Sequence, residues 1–514
     1  MRESSLSSFF LVLGCILAIA FIFNFSYSGI PDTDSFYHIR HSWIYRTQNL
    51  FDSSFPWTQY SAIKHYGADI WYGFHILSIP LTYISNLVLS VKIGGFFVTV
   101  ISLFLVFGAL SRLQVSWPVF WVLIFYFSSA DPMFRLTMLR PHAISLGLNM
   151  MIFAYLINVK GIPDRNNAII LFFLSAAFSW VHLSLAWMPI LTAGTIGLVQ
   201  FLKKQKIDWL HIMAVGFGLV VGWMMRPNPL GAAKLAYIQV AQLIVEKSRG
   251  VPLRFGRELT PFAWENFLDQ LLPITIFLLI AAVVVFWLFS KKINVLDSVW
   301  SSMILTALFF YMTFGVARRS SEILAGFSII FLSLVFTHYR NLAASSEARS
   351  FFTIVAAVIL AYMPIKNIYR FETYTANAFH PEQFKEAALW LKENANPKEI
   401  VFNIHWDRFG QLFFWNYDNY YINGMDPIFQ YAYNQSLYWK THFLAIDSAP
   451  GYTCGKIRCT QEEVEDIYKV LKDDFNAKYI VVEKRRNPKL YKYFESANKF
   501  KKVFDAEEAV FRVL

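Results

Sequence analysis

Two carboxylates one residue apart, Asp32 and Asp34, follow the first long apolar run of the chain, in the segment P-D-T-D-S-F-Y-H-I-R. Ionisable groups this close to a membrane face are costly unless they line a cavity or a polar surface. Carboxylates at this spacing can ligate a divalent cation or position a general base. The alternative is a solvated turn. This segment is the first place to look for a chemical site.

A second group of charges follows the third apolar run. Arg135, Arg140 and His142 could together hold a phosphate, and Asp131 could join the first two carboxylates at a metal ion. The alternative is a polar loop whose arginines contact lipid headgroups.

A third group, R-R-S-S-E, contains Arg318, Arg319 and Glu322. The topology derived below places it on the outer side, against the usual bias of basic residues toward the cytoplasm. Arginine is suited to bidentate phosphate recognition, so we predict a phosphate-binding role. The alternative is that Glu322 simply pairs with an arginine.

The segment H-W-D-R-F-G follows a predicted strand in the C-terminal tail. Loops at the carboxyl ends of strands are where α/β domains bind ligands. Trp406 and Asp407 could dock a sugar or a hydroxyl-bearing acceptor. A packing tryptophan and a helix N-cap at Asp407 are the alternative.

Cys454 and Cys459 lie close together in the same tail. A disulfide is the predicted pairing in an oxidising compartment, with two free thiols as the alternative. The sequence has no P-loop, no G-x-G-x-x-G, no G-x-S-x-G and no H-E-x-x-H.

The composition is that of a polytopic membrane protein. Of 514 residues, 56% are hydrophobic and only 16% are charged, against about 25% charged in soluble domains. The net charge of +11 comes mostly from short loops between apolar runs. Topology and lipid phosphate explain it better than nucleic acid, and we predict no nucleic-acid partner.

The apolar runs predict about eleven transmembrane helices, with the N-terminus inside and everything after the last span outside. The predicted spans are residues 9–25, 94–111, 118–129, 143–159, 168–181, 187–202, 209–225, 271–290, 299–316, 324–337 and 351–365. Basic loops at residues 111–112, 160–165, 203–206, 291–292 and 339–349 would then face the cytoplasm. Residues 71–91 are apolar enough to span, but Pro80 interrupts them, so we predict a non-spanning element. A tight hairpin is expected at residues 182–184.

Two domains are predicted: a transmembrane domain of residues 1–370, with a long first outer loop at 28–92, and an extracytoplasmic α/β domain of residues 371–514. The tail pattern predicts a helix to about residue 393 and strands at 400–404 and 479–483. A capping box at Thr460 predicts a helix continuing to about residue 473.

The three charged motifs, in this order, resemble the GT-C class of membrane glycosyltransferases. The nearest branch is the catalytic subunits of oligosaccharyltransferase and their bacterial relatives. The segment D-S-F-Y-H-I-R from Asp34 is similar to the D-x-x-Y-H-x-R of the archaeal members. Glu322 falls where that family has a metal-associated Glu, and H-W-D-R-F-G is similar to a degenerate W-W-D-Y-G acceptor motif.

The resemblance implies inverting transfer of a sugar or oligosaccharide from a polyprenyl-phosphate-linked donor to a glycan, lipid or protein acceptor on the outer face. Asp34, with Asp32, would be catalytic. The donor phosphate would be bound by the residues Arg318, Arg319, Arg140, Arg40 and His38. Trp406 and Asp407 would bind the acceptor. A divalent cation, Mg²⁺ or Mn²⁺, would be held by Asp34, Asp131 and Glu322; the alternative is a metal-free base.

The expected location is a bacterial or archaeal cell membrane. The rival interpretations are a polytopic transporter or flippase and an inactive scaffold of the same architecture. A transporter would be expected to place ionisable residues deep inside its spans, often in two similar halves, and the sequence has neither feature.

Overall fold

The computed structural model describes residues 2–157, 164–339, 346–448 and 451–514. The described chain is mostly helical, with a sheet formed by its C-terminal part. It divides into two compact units. The first unit comprises Met1–Pro31, Lys92–Met224 and Gly256–Ala378, and the second comprises Asp32–Val91, Met225–Phe255 and Phe379–Leu514.

The first unit is built from apolar helices. Several of them begin with proline in the first turn, where its missing N–H costs nothing. The α-helices are Arg2–Phe25, Leu87–Arg112, Pro118–Tyr126, Ala130–Leu136, Pro141–Leu156, Arg165–Val181, Trp187–Leu202, Trp209–Met224, Trp264–Gln270, Leu272–Ser290, Asp297–Gly315, Ser321–Tyr339 and Ser346–Ala376. Three 3₁₀ turns join them at Leu183–Leu185, Arg257–Leu259 and Arg318–Ser320.

Among the described residues, five helices are long and apolar enough to cross a membrane, or up to seven if each of two bent helix pairs counts as one span. The five are Leu87–Arg112, Leu183–Leu202, Leu272–Ser290, Asp297–Gly315 and Arg318–His338. Because these helices are long and apolar enough to cross a membrane, the chain is an integral membrane protein. The predicted count of about eleven stays a prediction, as does the sidedness of the loops. The predicted cytoplasmic loops around Lys160 and Arg340 lie outside the described residues.

Breaks in two apolar stretches agree with the sequence prediction. Residues 71–91 form a short helix, Tyr72–Ser78, and a 3₁₀ turn, Ile79–Tyr83, with Pro80 at the junction. The next helix starts only at Leu87. At the predicted hairpin, one helix ends at Val181 and the following 3₁₀ turn leads into the next helix at Trp187.

Close helix packing in the first unit depends on glycine. A β-carbon at Gly218 would lie 2.3 Å from the carbonyl oxygen of Phe172, and one at Gly222 would lie 2.0 Å from that of Ala176. The spacing G-x-x-x-G thus lets the Trp209–Met224 helix contact the Arg165–Val181 backbone directly, as small residues do in membrane helix pairs.

The second unit combines helices with a five-stranded sheet. Its strands in chain order are β1 (Ile400–Asn403), β2 (Tyr420–Tyr421), β3 (Tyr452–Thr453), β4 (Glu465–Asp466), β5 (Ala477–Glu483), β6 (Phe500–Asp505) and β7 (Glu508–Val513). The sheet order is β2-β1-β5-β7-β6, with β1 parallel to β2 and β5, and β7 antiparallel to β5 and β6. Strands β3 and β4 form a separate antiparallel pair.

The helical elements of the second unit come from all three of its segments. They are Asp34–Thr47, Ala62–Tyr66, Tyr72–Ser78, Ile79–Tyr83, Pro229–Tyr237, Ile238–Gln242, Leu243–Ser248, Lys385–Asn394, Trp406–Arg408, Phe409–Trp415, Pro427–Tyr433, Gln435–Ala445, Gln461–Glu463, Ile467–Lys469, Val470–Asp474 and Pro488–Ser496. The early segment also joins the sheet edge, where Thr58 bridges Tyr421 in parallel and Tyr60 N donates to Ile422 O at 2.9 Å.

The tail confirms the predicted α/β character, with one correction. The capping box at Thr460 and Glu463 is present, but the helix it opens ends at Glu463. Strand β4 follows and pairs with β3, because Tyr452 and Thr453 supply a partner edge for Asp466 and Glu465. Helical structure resumes only at Ile467.

The predicted disulfide between Cys454 and Cys459 is present, with the Cα atoms 6.3 Å apart. The predicted domain boundary after residue 370 stays a prediction. The compact unit that contains residues 379–514 also contains the predicted first outer loop from Asp32 onward.

Candidate functional site

The Asp32–Asp34 segment opens a helix of the second unit, Asp34–Thr47, ten of whose fourteen residues are buried. The Ser35 hydroxyl donates to the Asp32 carboxylate, and Asp32 is 8% exposed. Asp34 is half-buried in the first helical turn, where the helix dipole favours a negative charge. The local structure therefore places the Asp34 carboxylate in the first turn of a firmly packed helix.

The predicted acceptor residues lie at the carboxyl end of β1, in the 3₁₀ turn Trp406–Arg408. Trp406 Nε1 donates to the Arg254 carbonyl at 3.0 Å. Arg486 Nη1 donates to both Asp407 oxygens, at 3.0 and 3.1 Å. Burial raises the pKa of Asp407, but Arg486 outweighs it and holds that pKa below its ordinary value. The structure thus pairs Asp407 with Arg486 and does not use it as a helix N-cap.

The acceptor motif and the D-x-D segment meet within the second unit. Gly410, the last residue of H-W-D-R-F-G, packs against the backbone of Thr33, which stands between Asp32 and Asp34. Two segments that the sequence analysis treated separately therefore share one surface.

Two of the predicted phosphate ligands, Arg40 and His38, also lie on the Asp34–Thr47 helix. Arg40 Nε donates to the Phe414 carbonyl at 2.8 Å, and its guanidinium lies 5.0 Å from the Trp43 ring centre and 5.2 Å from that of Tyr417. His38 Nδ1 lies 2.8 Å from His75 Nε2. Both side chains are at most 8% exposed, so in this geometry they stabilise the helix, and their phosphate role stays a prediction.

Behind this helix lies a cluster that the sequence analysis missed. His41, Asp69 and His75 each offer a ligand atom within 4.8 Å of the others. His75 Nδ1 is 2.6 Å from Asp69 Oδ2, which also accepts from Tyr45 at 3.0 Å. Burial and then His75 lower the pKa of His41 to about 3, so its imidazole is neutral. The residues are distant in sequence or unevenly spaced, which left no motif to find.

The remaining predicted residues lie in the first unit and form an arginine cluster. Its members are Arg135, Arg140, Arg318 and Arg319, with the carboxylates of Asp131, Glu258 and Glu322. The break between Pro118–Tyr126 and Ala130–Leu136, which are bent by 95°, brings Asp131 and Arg135 into a short buried helix.

Arg135 is the centre of the arginine cluster. Its Nε donates to Glu322 and its Nη1 donates to Glu258 at 2.5 Å. His142 Nε2 lies 3.4 Å from the second Glu322 oxygen. Glu322, at the start of the Ser321–Tyr339 helix, is 6% exposed. The structure shows Glu322 paired with an arginine, Arg135, which is the alternative stated from the sequence.

Arg318 bonds to Asp131 and to Tyr374. Its Nη2 donates to Asp131 Oδ1 at 2.8 Å and to the Tyr374 hydroxyl at 2.8 Å. Ser321 donates to the other Asp131 oxygen at 3.0 Å. The Arg318 backbone N–H donates to Thr260 O at 2.7 Å, which ties the loop carrying Glu258 to the arginine cluster.

Glu258 joins the arginine cluster from a loop that carries no recognisable motif. Its oxygens lie 3.8 Å from Arg140 and 3.8 Å from Arg319. Burial raises the pKa of Glu258, but Arg319, Arg135 and Arg140 together hold it well below its ordinary value. Glu258 is therefore ionised and carries full negative charge.

The arginine cluster carries more positive than negative charge. Four guanidinium groups face three carboxylates, Asp131, Glu258 and Glu322, which leaves a formal charge of +1. The Arg318 and Arg319 side chains are each 23% exposed. A buried charge surplus is costly unless an anion compensates it, so the arrangement suits a phosphate-bearing ligand.

A divalent cation is not favoured by the first unit alone. Both oxygens of Asp131 accept hydrogen bonds from Arg318 and Ser321, and Glu322 is bonded by Arg135. Among the described residues, the one converging group of metal-type ligands is His41, Asp69 and His75. The predicted set of Asp34, Asp131 and Glu322 draws on both units and stays a prediction.

The fold is GT-C-like, because the chain aligns over most of its length with solved structures of membrane glycosyltransferases. The Archaeoglobus fulgidus oligosaccharyltransferase, tethered with an acceptor peptide containing the NVT sequon, aligns over 96% of this chain and 72% of its own, with a TM-score of 0.60 and 12% identity. The same enzyme in complex with Zn and sulfate aligns over 95% and 70%, with a TM-score of 0.59 and 12% identity.

A mycobacterial arabinofuranosyltransferase, AftD, aligns over 97% of this chain with a TM-score of 0.51 and 12% identity. The chain spans 41% of that protein's length. No protein-family model matches the sequence, and no curated protein matches it. The resemblance stated from the motifs is thus confirmed at the level of the fold.

Proposed function

We propose that this protein is a membrane glycosyltransferase that moves a sugar or oligosaccharide from a polyprenyl-phosphate-linked donor to an acceptor. The observation that carries the proposal is the arginine cluster, with its surplus positive charge among the ends of apolar helices. A lipid-linked donor stays in the bilayer, so cationic side chains at the ends of membrane helices must bind its phosphate. Arg318, Arg319 and Arg140 would offset the charge developing on the departing phosphate.

Asp34 is the proposed base. It would take the proton from an acceptor hydroxyl or amide as the acceptor attacks the anomeric carbon, with the sugar–phosphate bond breaking on the opposite face and inversion as the result. Asp32, held by Ser35, supports the loop. The contact between Gly410 and Thr33 supports an acceptor site formed with Trp406 and Asp407.

The glycosyltransferase identity of the structural neighbours supports this reaction class, and the presence of an acceptor peptide in one of them supports an extended acceptor. We further propose that the chemistry takes place on the outer face of a bacterial or archaeal cell membrane, with the tail outside and about eleven spans. The positive-inside distribution of the basic loops supports this orientation.

A divalent cation, Mg²⁺ or Mn²⁺, at Asp34 with Asp131 and Glu322 is a further proposal; it requires Asp131 to give up its bonds to Arg318 and Ser321, and Glu322 its bond to Arg135. A cation there would stabilise the departing phosphate charge. With or without a cation, the arginines would bind the donor phosphate and Asp34 would accept the proton of the acceptor.

The test compares lipid-linked sugar pools in a strain lacking the gene with strains complemented by wild type, Asp34→Asn or Asp473→Asn. The deletion strain should accumulate a polyprenyl-phosphate-linked sugar, because its consumer is gone. Asp34→Asn should leave that pool high, and in transfer assays with the purified donor its turnover should fall about 10²–10⁴-fold. Asp473 is exposed in the same unit, so its variant should behave as wild type.

A transporter or flippase would give a different result. Purified protein in vesicles would then move the lipid-linked sugar between leaflets without forming a new glycosidic bond. An inactive scaffold would leave the pool unchanged on deletion. Either outcome, or parental transfer by Asp34→Asn, contradicts the proposal.

A further inference from the structure

We propose that the second unit binds a divalent transition metal ion of the Zn²⁺ type through His41, Asp69 and His75. These residues are separate from the D-x-D segment, the acceptor motif and the arginine cluster. The proposal is independent of the glycosyltransferase assignment.

The ligand set has the composition of a zinc site with three protein ligands. Two imidazoles and one carboxylate suit Zn²⁺ better than Mg²⁺, which prefers oxygen ligands. The three side chains belong to residues that are 2%, 4% and 0% exposed, and their ligand atoms lie within 4.8 Å of one another. The His41 and His75 ring centres are 4.3 Å apart. Small movements of the side chains would bring the atoms to coordination distance.

The surroundings of the two histidines are those of metal ligands. His41 Nδ1 lies 2.8 Å from the Tyr37 hydroxyl, which leaves Nε2 as its ligand atom. His75 Nε2 lies 2.8 Å from His38 Nδ1, which leaves Nδ1 facing Asp69. A buried partner on the second nitrogen fixes the ring orientation and tautomer of a metal-bound histidine.

The carboxylate is fixed as well. Asp69 Oδ1 accepts from the Trp71 backbone at 2.8 Å, and Oδ2 accepts from Tyr45 at 3.0 Å. In this structure Asp69 Oδ2 and His75 Nδ1 are in direct contact at 2.6 Å. A metal ion would stand between these two atoms and would also engage His41.

His41 gives the site an entry path. Its Nδ1 is engaged by the Tyr37 hydroxyl, and the residue is 2% exposed. His41 also lines an open pocket of about 390 Å³ with Trp57, Asn49, Asp52 and Tyr417. An ion, or the water that completes its coordination, can therefore reach the cluster from solvent.

The bound ion would join the Asp34–Thr47 helix, through His41, to the Tyr72–Ser78 helix, through His75, and to Asp69 just before it. Because Asp34 begins that helix, the ion would stabilise the scaffold of the proposed base without touching substrate. We therefore expect a metal effect on unfolding in addition to any effect on activity.

The experiment uses the full chain, purified in detergent without a polyhistidine tag, stripped with chelator and titrated with Co²⁺ and Zn²⁺. Wild type should bind one Co²⁺ that gives visible d–d absorption, and Zn²⁺ should displace it and raise the unfolding temperature. His41→Gln should lose the absorption band. Tyr37→Phe, which keeps all three ligands, should weaken binding about 10–100-fold. His65→Gln, an exposed histidine of the same unit, should bind as wild type.

The same titration separates this site from a cation at the D-x-D segment. Asp34→Asn should retain the Co²⁺ spectrum even where transfer is lost. The proposal is overturned if wild type binds no ion, or if Asp34→Asn abolishes binding while Tyr37→Phe and His41→Gln leave it unchanged. If His41→Gln does not fold, the Co²⁺ affinity of Tyr37→Phe decides: weaker binding supports the proposal, and wild-type affinity overturns it.

Discussion

Gly410 lies directly against Thr33: a β-carbon built on Gly410 would stand 2.2 Å from the Thr33 carbonyl oxygen. Real β-carbons do not approach backbone this closely, so one of the two segments would have to move. Thr33 separates Asp32 from Asp34, and Gly410 ends the proposed acceptor motif. The spacing between acceptor and base therefore depends on the absence of one methyl group.

Gly410→Ala should consequently impair transfer far more than folding. Displacing a positioned base by about 1 Å can cost about 10²-fold in rate. The measurement is sugar transfer with the accumulated donor, together with thermal unfolding. Gly194→Ala is the control, because its β-carbon would have nothing within 4 Å. Wild-type transfer by Gly410→Ala would show that the Thr33 contact does not position Asp34.

Arg319→Ala should weaken donor handling. It removes one of four arginine charges and takes the formal charge of the arginine cluster from +1 to 0. Charged hydrogen bonds contribute about 1.5–3 kcal/mol, so kcat/KM for the donor should fall about 10–100-fold. Steady-state kinetics over donor concentration measures this. Arg485→Ala, whose side chain is 89% exposed in the other unit, should leave kcat/KM unchanged, and an equal effect in both variants would contradict the assignment.

Glu322→Gln should destabilise the first unit. Arg135 and Glu322 are 4% and 6% exposed, and removing one partner of a buried ion pair typically costs about 3–5 kcal/mol. Thermal unfolding in detergent should show the loss, and a double variant with Arg135→Met should lose less than the sum of the single changes. Glu463→Gln, which breaks an exposed pair with Lys456, should cost less than about 1 kcal/mol. Additive losses would mean that the two residues are not coupled.

The second unit should become less stable as pH rises from about 4.5 to about 7. Burial, and then Glu507, raise the pKa of Glu508 from 4.5 to about 7, and its Oε1 has no hydrogen-bond partner among the described residues. The folded chain keeps a proton that the unfolded chain loses, so stability is full below about pH 4.5 and is lost progressively up to about pH 7. Glu508→Gln should reduce the difference in unfolding temperature between pH 5 and pH 8. The exposed Glu462→Gln should not change it.

Local features were predictable from sequence because their causes are local. Pro80 interrupts an apolar stretch, Thr460 and Glu463 cap a turn, and alternating strands and helices define the tail. The predicted helix after Thr460 was too long. Strand pairing with Tyr452 outweighs the local helix preference, and a short sequence window around Thr460 does not contain that strand partner.

The candidate site was only partly predictable, because its partners are distant in sequence. The D-x-D segment and the R-R-S-S-E motif stand out by residue type and position. Glu258 lies 123 residues from Arg135 in a loop without a recognisable motif. Asp69 and His75 become a cluster with His41 only when two segments pack together. The phosphate role of Arg40 stays a prediction, and its contacts with the aromatic rings of Trp43, Phe414 and Tyr417 could not be read from the sequence.

The interleaving of the second unit has a consequence for biosynthesis. Trp57 Nε1 donates to Tyr417 O, 360 residues later in the chain, and Arg40 reaches Phe414 across 374 residues. At about 5–20 residues per second, the ribosome needs roughly 20–70 s to supply these partners. During that interval the rings of Tyr37 and Phe55 lack Phe409 and Phe413, the rings of a later helix that they contact in the folded chain. The second unit therefore cannot complete its packing until the last part of the chain has been synthesised.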